Sequence, residues 1–236
     1  LVLQRLVGRG VDLEGVDLTG VDLTGLDMRD VNLDNARLDA TTIANTQLAG
    51  ASVDGIVASN LIGTPASLPT DYFIASGWLV GPGLSFVGAD FTGIDFSGRN
   101  LTGVTFGAST VINGTDFTGA DLSHAVLDGV TALNADLTGA TLWRMRGIEV
   151  NGEPLLPTGW DRELRILFGP GADLDGVFRG TAATLDGVDL TDALVTNASL
   201  NITIQNATLV RTDFTGTVAQ NNDCLLYTSD AADDET

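Results

Sequence analysis

The chain has 236 residues, a formal net charge of −20 and 11 basic residues, all of them Arg, and such acidity argues against direct binding to DNA, RNA or an anionic membrane. Apolar residues make up 44% of it but aromatics only 6%, beside 29 Gly, a balance that suits a thin repetitive core better than an ordinary globular one. No run approaches 18 apolar residues, which excludes a transmembrane helix, and the single Cys, Cys224, excludes an intrachain disulfide.

From Val11 the chain reads VDLEG VDLTG VDLTG LDMRD VNLDN, blocks of five residues centred on Leu13, Leu18, Leu23, Met28 and Leu33. A helix would smear these centres around its cylinder, at about 100° per residue. An unbroken strand would point them alternately to opposite faces, because five is odd. The period works if each block holds one short extended piece and one bend. Val11 and Leu13 then face inward, Asp12 faces outward, and the bend takes positive φ at Gly15. The block ends Gly20, Gly25, Asp30, Asn35, Asn45, Gly50, Gly55 and Asn60 suit that conformation, with Ala40 as the exception.

This pattern resembles the pentapeptide-repeat family, whose consensus is A-(D/N)-L-x-x. The resemblance implies an all-β fold, a right-handed quadrilateral β-helix with one turn per four blocks, in which Leu13 lies under Leu33 and Val53. It also implies a multi-module bacterial protein. Coils of this kind bury their apolar face only against the next coil.

The rhythm divides the chain. Residues 11–60 are expected to form coils, and residues 61–83 an insert, broken by Pro65, Pro69 and Pro82. Two short β-rich runs around Ser76-Gly77 predict a hairpin inside that insert. Coils resume over residues 84–144, with centres at Phe86, Phe91, Phe96, Leu101, Phe106, Val111, Phe117, Leu122, Leu127, Ala132, Leu137 and Leu142. One extra residue is expected at Asn113-Gly114, so that Phe86 stacks on Phe106 and Phe96 on Phe117. Arg99 sits where a small inward residue belongs, which predicts a distortion or an outward side chain.

A second insert, 145–171, repeats the first. Leu156-Pro157-Thr158 answers Leu68-Pro69-Thr70, Gly169-Pro170-Gly171 answers Gly81-Pro82-Gly83, Trp160 matches Tyr72, and Leu167 matches Leu79. Residues 1–10 read as the truncated end of a third such insert, since Leu6-Val7-Gly8 mirrors Leu79-Val80-Gly81. Residues 172–222 carry a rougher array, centred on Leu174, Leu185, Leu190, Val195, Leu200, Leu209 and Phe214, with Arg179 near a centre. Residues 223–236 are expected to be a disordered or artefactual tail, since 224–236 resembles sequencing-adapter read-through. The chain begins at Leu1 rather than Met, so its natural N-terminus is expected to be missing. No signal peptide is expected from these residues, and cytoplasmic and secreted locations both stay open.

No catalytic constellation, cofactor site or metal site can be assembled. The only histidine, His124, falls at a corner where positive φ is tolerated. The outward acids Asp12, Asp17, Asp22 and Asp27 have a structural reading, as acceptors for backbone N–H groups beside corners. With Tyr72, Trp78 and Trp160 on the inserts, they are also the candidate partner contacts. The sequence therefore predicts a non-enzymatic structural or protein-interaction repeat module, binding protein rather than nucleic acid or membrane and able to self-associate through open coil ends. The alternative, which the resemblance supplies, is an acidic DNA mimic that binds and inhibits or protects a type II topoisomerase.

Overall fold

The computed structural model describes residues 8–177, 179–184, 187–203 and 206–219, as two compact units divided between Ser85 and Phe86. Every described strand is short, and no helix occurs among the described residues.

The first unit is built from one-residue parallel bridges placed 20 residues apart. Asp12 bridges Asn32 and Asn32 bridges Ser52, while Asp17–Arg37–Val57, Asp22–Thr42–Ile62 and Asp27–Gln47–Ser67 form three more such columns. Four columns with one period make four sides to a coil. Within a side the hydrogen bonds alternate: Leu13 N–H donates to Asn32 O at 2.8 Å, and Asn32 N–H donates to Val11 O at 3.0 Å. The block centres Leu23, Met28, Leu33 and Ile43 are at most 1% exposed. Each contributes roughly 1.5–3 kcal/mol by leaving water.

The corners obey the sequence. Asp30, Asn35, Asn45 and Asn60 all have positive φ, and so does Ala40, at 53°. An L-residue with a Cβ pays about 1–2 kcal/mol for that conformation. Ala40 accepts it because the bridges on either side fix the bend.

The bridging ladder does not stop at Leu61. Ile62 and Ser67 still bridge Thr42 and Gln47. Only then does the chain leave the coil, as an antiparallel hairpin of β1 (Phe73–Ala75) and β2 (Trp78–Val80), in the register Phe73↔Val80, Ile74↔Leu79, Ala75↔Trp78. Ser76 and Gly77 both have positive φ, at 47° and 75°, which is the turn whose twist suits a two-residue hairpin. The second strand returns to the coil: Leu79 N–H donates to Ala58 O, and Leu79 is buried.

The second unit repeats the scheme with an aromatic core. β3 (Ser85–Phe86), at the junction, and β4 (Thr105–Phe106) carry Phe86 and Phe106 inward. Phe86 stacks on Phe106 at 5.6 Å between centroids and Phe96 on Phe117 at 5.4 Å, while Phe91 meets Phe86 edge-on at 5.2 Å. These five rings are at most 1% exposed. Arg99 keeps the regular turn bond from its N–H to Phe96 O and turns its side chain outward without distortion.

The extra residue lies elsewhere than the sequence suggested. Ile112, not Val111, occupies the core, at 0% exposed, and Val111 bridges Asp90 and Thr131. The spacing from Ile112 to Phe117 is then regular, and the six-residue interval runs from Phe106 to Val111. Gly107 absorbs the surplus. Its N–H donates to Phe86 O at 2.7 Å, and its carbonyl accepts Thr110 N–H. Two adjacent β-branched residues left the phase ambiguous, and the backbone at Gly107 decided it.

The second hairpin, β5 (Asp161–Glu163) and β6 (Ile166–Phe168), has the register Asp161↔Phe168, Arg162↔Leu167, Glu163↔Ile166. Its turn residues Leu164 and Arg165 have φ of 49° and 64°. Here too the coil continues into the insert, since Asn151 and Leu155 bridge Thr131 and Asp136. Beyond it the bridges Asp173↔Leu194 and Asp189↔Thr208 are uneven in spacing. β7 (Arg179–Thr184), β8 (Ser199–Thr203) and β9 (Val218–Ala219) form a parallel sheet with a register shift between Arg179 and Ala182. Residues 1–7, Leu185 and the 223–236 tail lie outside the described residues, as do the side chains of Arg179 and Leu200.

Candidate functional site

The outward acids are structural acceptors first. Asp12, Asp17, Asp22 and Asp27 each accept, through Oδ1, the backbone N–H two residues on, at Glu14, Thr19, Thr24 and Arg29, over 2.9–3.3 Å. Asp90, Asp95, Asp116, Asp121, Asp136, Asp173, Asp189 and Asp213 do the same. The bond favours the ionised form. Hydrogen bonds from Thr19 and Thr24 hold Asp17 and Asp22 below the usual carboxylate range, and the Arg29 side chain draws Asp27 down to about 2.

The acids do not merge into one stripe within either unit. In the first unit, each bridge column carries a single carboxylate, all in the first coil. In the second, only the column Asp95–Asp116–Asp136 stacks three in succession. Among the described residues, no group of His, Cys, Asp and Glu could hold a metal ion. His124 sits at its corner with φ 61°.

The insert aromatics are anchors. Tyr72 lies flat over Gly81 and Trp160 over Gly169, so closely that a Cβ on either glycine would overlap the ring. Tyr72 also donates its hydroxyl to Pro82 O at 3.1 Å. Trp160 packs against the cluster of Ile166, Phe168, Leu174 and Leu190. Tyr72, Trp78 and Trp160 are half-buried rather than fully exposed. Both hairpins thus use one device, an aromatic ring nine residues ahead of a glycine, and it explains the register that the two inserts share.

Sequence reading missed a second device. Thr41, Thr46, Thr110 and Thr115 are fully buried at inward positions, two residues before a block centre. Their hydroxyls donate to the carbonyls of Leu18, Leu23, Phe86 and Phe91 in the neighbouring coil, each at 2.8 Å. Thr212 does likewise to Leu190 O, and Thr217 to Val195 O. The only sequence signal is a Thr where the consensus expects a small apolar residue.

The pentapeptide-repeat family model matches residues 9–43 and 108–144, with eight copies. Among solved structures, the chain is similar to HetL, a pentapeptide repeat protein involved in heterocyst differentiation regulation from the cyanobacterium Nostoc sp. strain PCC 7120, at 20% identity. That alignment covers 90% of this chain and 89% of HetL, with a TM-score of 0.34. Rfr23 from the cyanobacterium Cyanothece 51142 is 17% identical over 62% of this chain and 88% of its own, with a TM-score of 0.23. QnrB1, a plasmid-mediated fluoroquinolone resistance protein, is 12% identical over 92% of this chain and 86% of its own, with a TM-score of 0.25. No curated protein matches the chain by sequence. Together, the family match and the five-residue sides stacked at 20-residue intervals show that the chain carries pentapeptide repeats.

Proposed function

We propose that the chain is a non-enzymatic structural and protein-interaction module. Its coils wind as a right-handed quadrilateral β-helix, and the two hairpins are its points of contact with protein partners. One observation carries this reading: both hairpins are clamped in one register by Tyr72 on Gly81 and Trp160 on Gly169, while their outer strands differ in chemistry, Phe-Ile-Ala against Asp-Arg-Glu. A scaffold that holds the backbone constant and varies what it presents suits recognition.

Tyr72, Trp78 and Trp160, with the edge bearing Asp12, Asp17, Asp22 and Asp27, are the surfaces to test. Deleting an insert would remove coil residues such as Ile62 and Leu79, so substitution is the cleaner route. Replacing Phe73 and Trp78 by Ser, with the melting profile unchanged, should remove partners from a quantitative co-purification. An unchanged partner set would count against the hairpins. Self-association through a coil edge belongs to the same reading. The four carboxylates of the first described coil oppose the stacking of like edges at neutral pH, and sedimentation at rising concentration measures it.

The DNA-mimic alternative draws on the net charge of −20 and on the Asp95–Asp116–Asp136 column. The columns of the first unit, with one carboxylate each, weigh against it. A type II topoisomerase supercoiling assay that shows no inhibition at micromolar protein dismisses it.

A further inference from the structure

The two hairpins provide an internal comparison, because their surroundings correspond residue by residue. Leu61 N–H donates to Gly77 O as Val150 N–H donates to Arg165 O, and Asn45 N–H donates to Thr64 O as Asn134 N–H donates to Glu153 O. Gly63-Thr64-Pro65 therefore answers Gly152-Glu153-Pro154. Gly63 and Gly152 both have positive φ, and both lie too close to the neighbouring coil to carry a Cβ. Ile74, opposite Leu79, answers Arg162, opposite Leu167.

The correspondence fails at two side chains, Ile74 for Arg162 and Thr64 for Glu153. In the second unit, Arg162 lays its side chain across the space between hairpin and coil. Its Nε and Nη2 donate to Val150 O at 3.3 and 3.1 Å, and its Nη1 donates to Glu153 Oε1 at 2.9 Å. The Arg162 side chain is only 16% exposed. In the first unit, Ile74 is too short and too apolar to do this. What remains is a groove of about 390 Å³, bounded by Gly63-Thr64-Pro65, Ser67, Leu68, Phe73 and Ile74. Leu61 O is the counterpart of Val150 O, and Leu61 lies beside Leu68 and Ile74.

We propose that this groove receives an arginine side chain from an extended segment of a partner protein. The guanidinium donates to Leu61 O, and its alkyl stem lies along Leu68 and Phe73. The second hairpin fills its own copy of the site with Arg162 and is therefore closed. This deepens the protein-interaction reading and rests on it. Three features favour arginine as the occupant. The second unit shows a guanidinium seated in the same frame. A planar fork on a long apolar stem fits a groove whose walls are mainly apolar, where a compact, strongly hydrated ammonium does not. The overall charge of −20 steers basic segments toward the protein.

The test is a titration of the isotope-labelled full chain, in about 0.15 M salt to screen loose ion pairing. The probe is a capped pentapeptide with one arginine between leucines, and its lysine counterpart is the control. The arginine peptide should shift the amides of Thr64, Leu68, Phe73 and Ile74, and bind roughly tenfold more tightly than the lysine peptide. Ile74→Arg should close the groove and abolish the response, with the remaining spectrum and the melting profile unchanged. Arg162→Ala should open the second groove and add shifts around Glu153 and Leu156. Absence of shifts at the groove, an equal response in Ile74→Arg, or shifts spread over the exposed aspartates would overturn the proposal. Loss of co-purified partners in the hairpin variants, with no arginine-peptide binding, would leave the interaction reading standing and remove only this occupant.

Discussion

Thr115→Val tests whether the buried threonines clamp coil to coil. The hydroxyl of Thr115 is fully buried and donates to Phe91 O at 2.8 Å, and the same carbonyl accepts Ile94 N–H at 3.0 Å. Valine keeps the shape and loses the donor. One neutral hydrogen bond contributes about 0.5–1.5 kcal/mol net, and placing a methyl against a buried carbonyl adds a share of its desolvation. Phe91 O keeps its bond from Ile94, so that share is small, and the expected loss is about 1–2 kcal/mol. Urea unfolding followed by circular dichroism should show a lower midpoint with an unchanged slope. Thr115→Ser keeps the donor and loses only a methyl, so it serves as the control. If Thr115→Val equals or exceeds the parent in stability, the hydroxyl is not a clamp and the reasoning fails.

Other perturbations probe separate parts of the argument. Ala40→Gly relieves the positive φ of 53° and should stabilise the first unit by about 0.5–1 kcal/mol, because the added freedom of the unfolded chain offsets part of the gain; differential scanning calorimetry reads it. Gly169→Ala drives a methyl into the ring of Trp160 and should lower the melting temperature, with a change in tryptophan emission that Gly93→Ala, with open space around its Cβ, does not produce. Phe117→Ala empties a ring-lined core position and should cost about 3–5 kcal/mol by denaturant unfolding.

Acid should weaken the fold in a defined window. Asp17, Asp22, Asp90, Asp95, Asp136 and Asp213 have lowered folded values caused by hydrogen bonds from Thr or Ser two residues on, and Asp27 lies near 2. A lowered folded value stabilises the protein above the unfolded value of 3.8, and that stability is lost as pH falls through the folded values. Urea midpoints should be flat above about pH 5 and fall between pH 4 and 2. Midpoints that rise with acid would show that repulsion among the aspartates outweighs their hydrogen bonds.

Much of the fold was legible residue by residue. Leu23, Leu33 and Phe96 announced the core by their spacing, and Asn35 and His124 announced corners by their tolerance of positive φ. Ser76-Gly77 announced a turn. The phase near Val111-Ile112 was not legible, because either residue suits the core and only the bond from Gly107 to Phe86 decides between them. Nor was the packing of Tyr72 and Trp160 on their glycines, since the sequence marks these rings only as candidate partner contacts. A ring can stack on a glycine nine residues away only after the hairpin has closed.

The sequence by itself determined the five-residue side, the inward leucines and phenylalanines, and the corners, since each follows from one residue and its nearest neighbours. The tertiary structure decided which carbonyls the buried threonines meet, which glycines the aromatics cover, and that Arg162 fills a groove that Ile74 leaves open. Those contacts join residues from different coils or from a hairpin and a coil, and their distances are set by stacking, which no local pattern encodes.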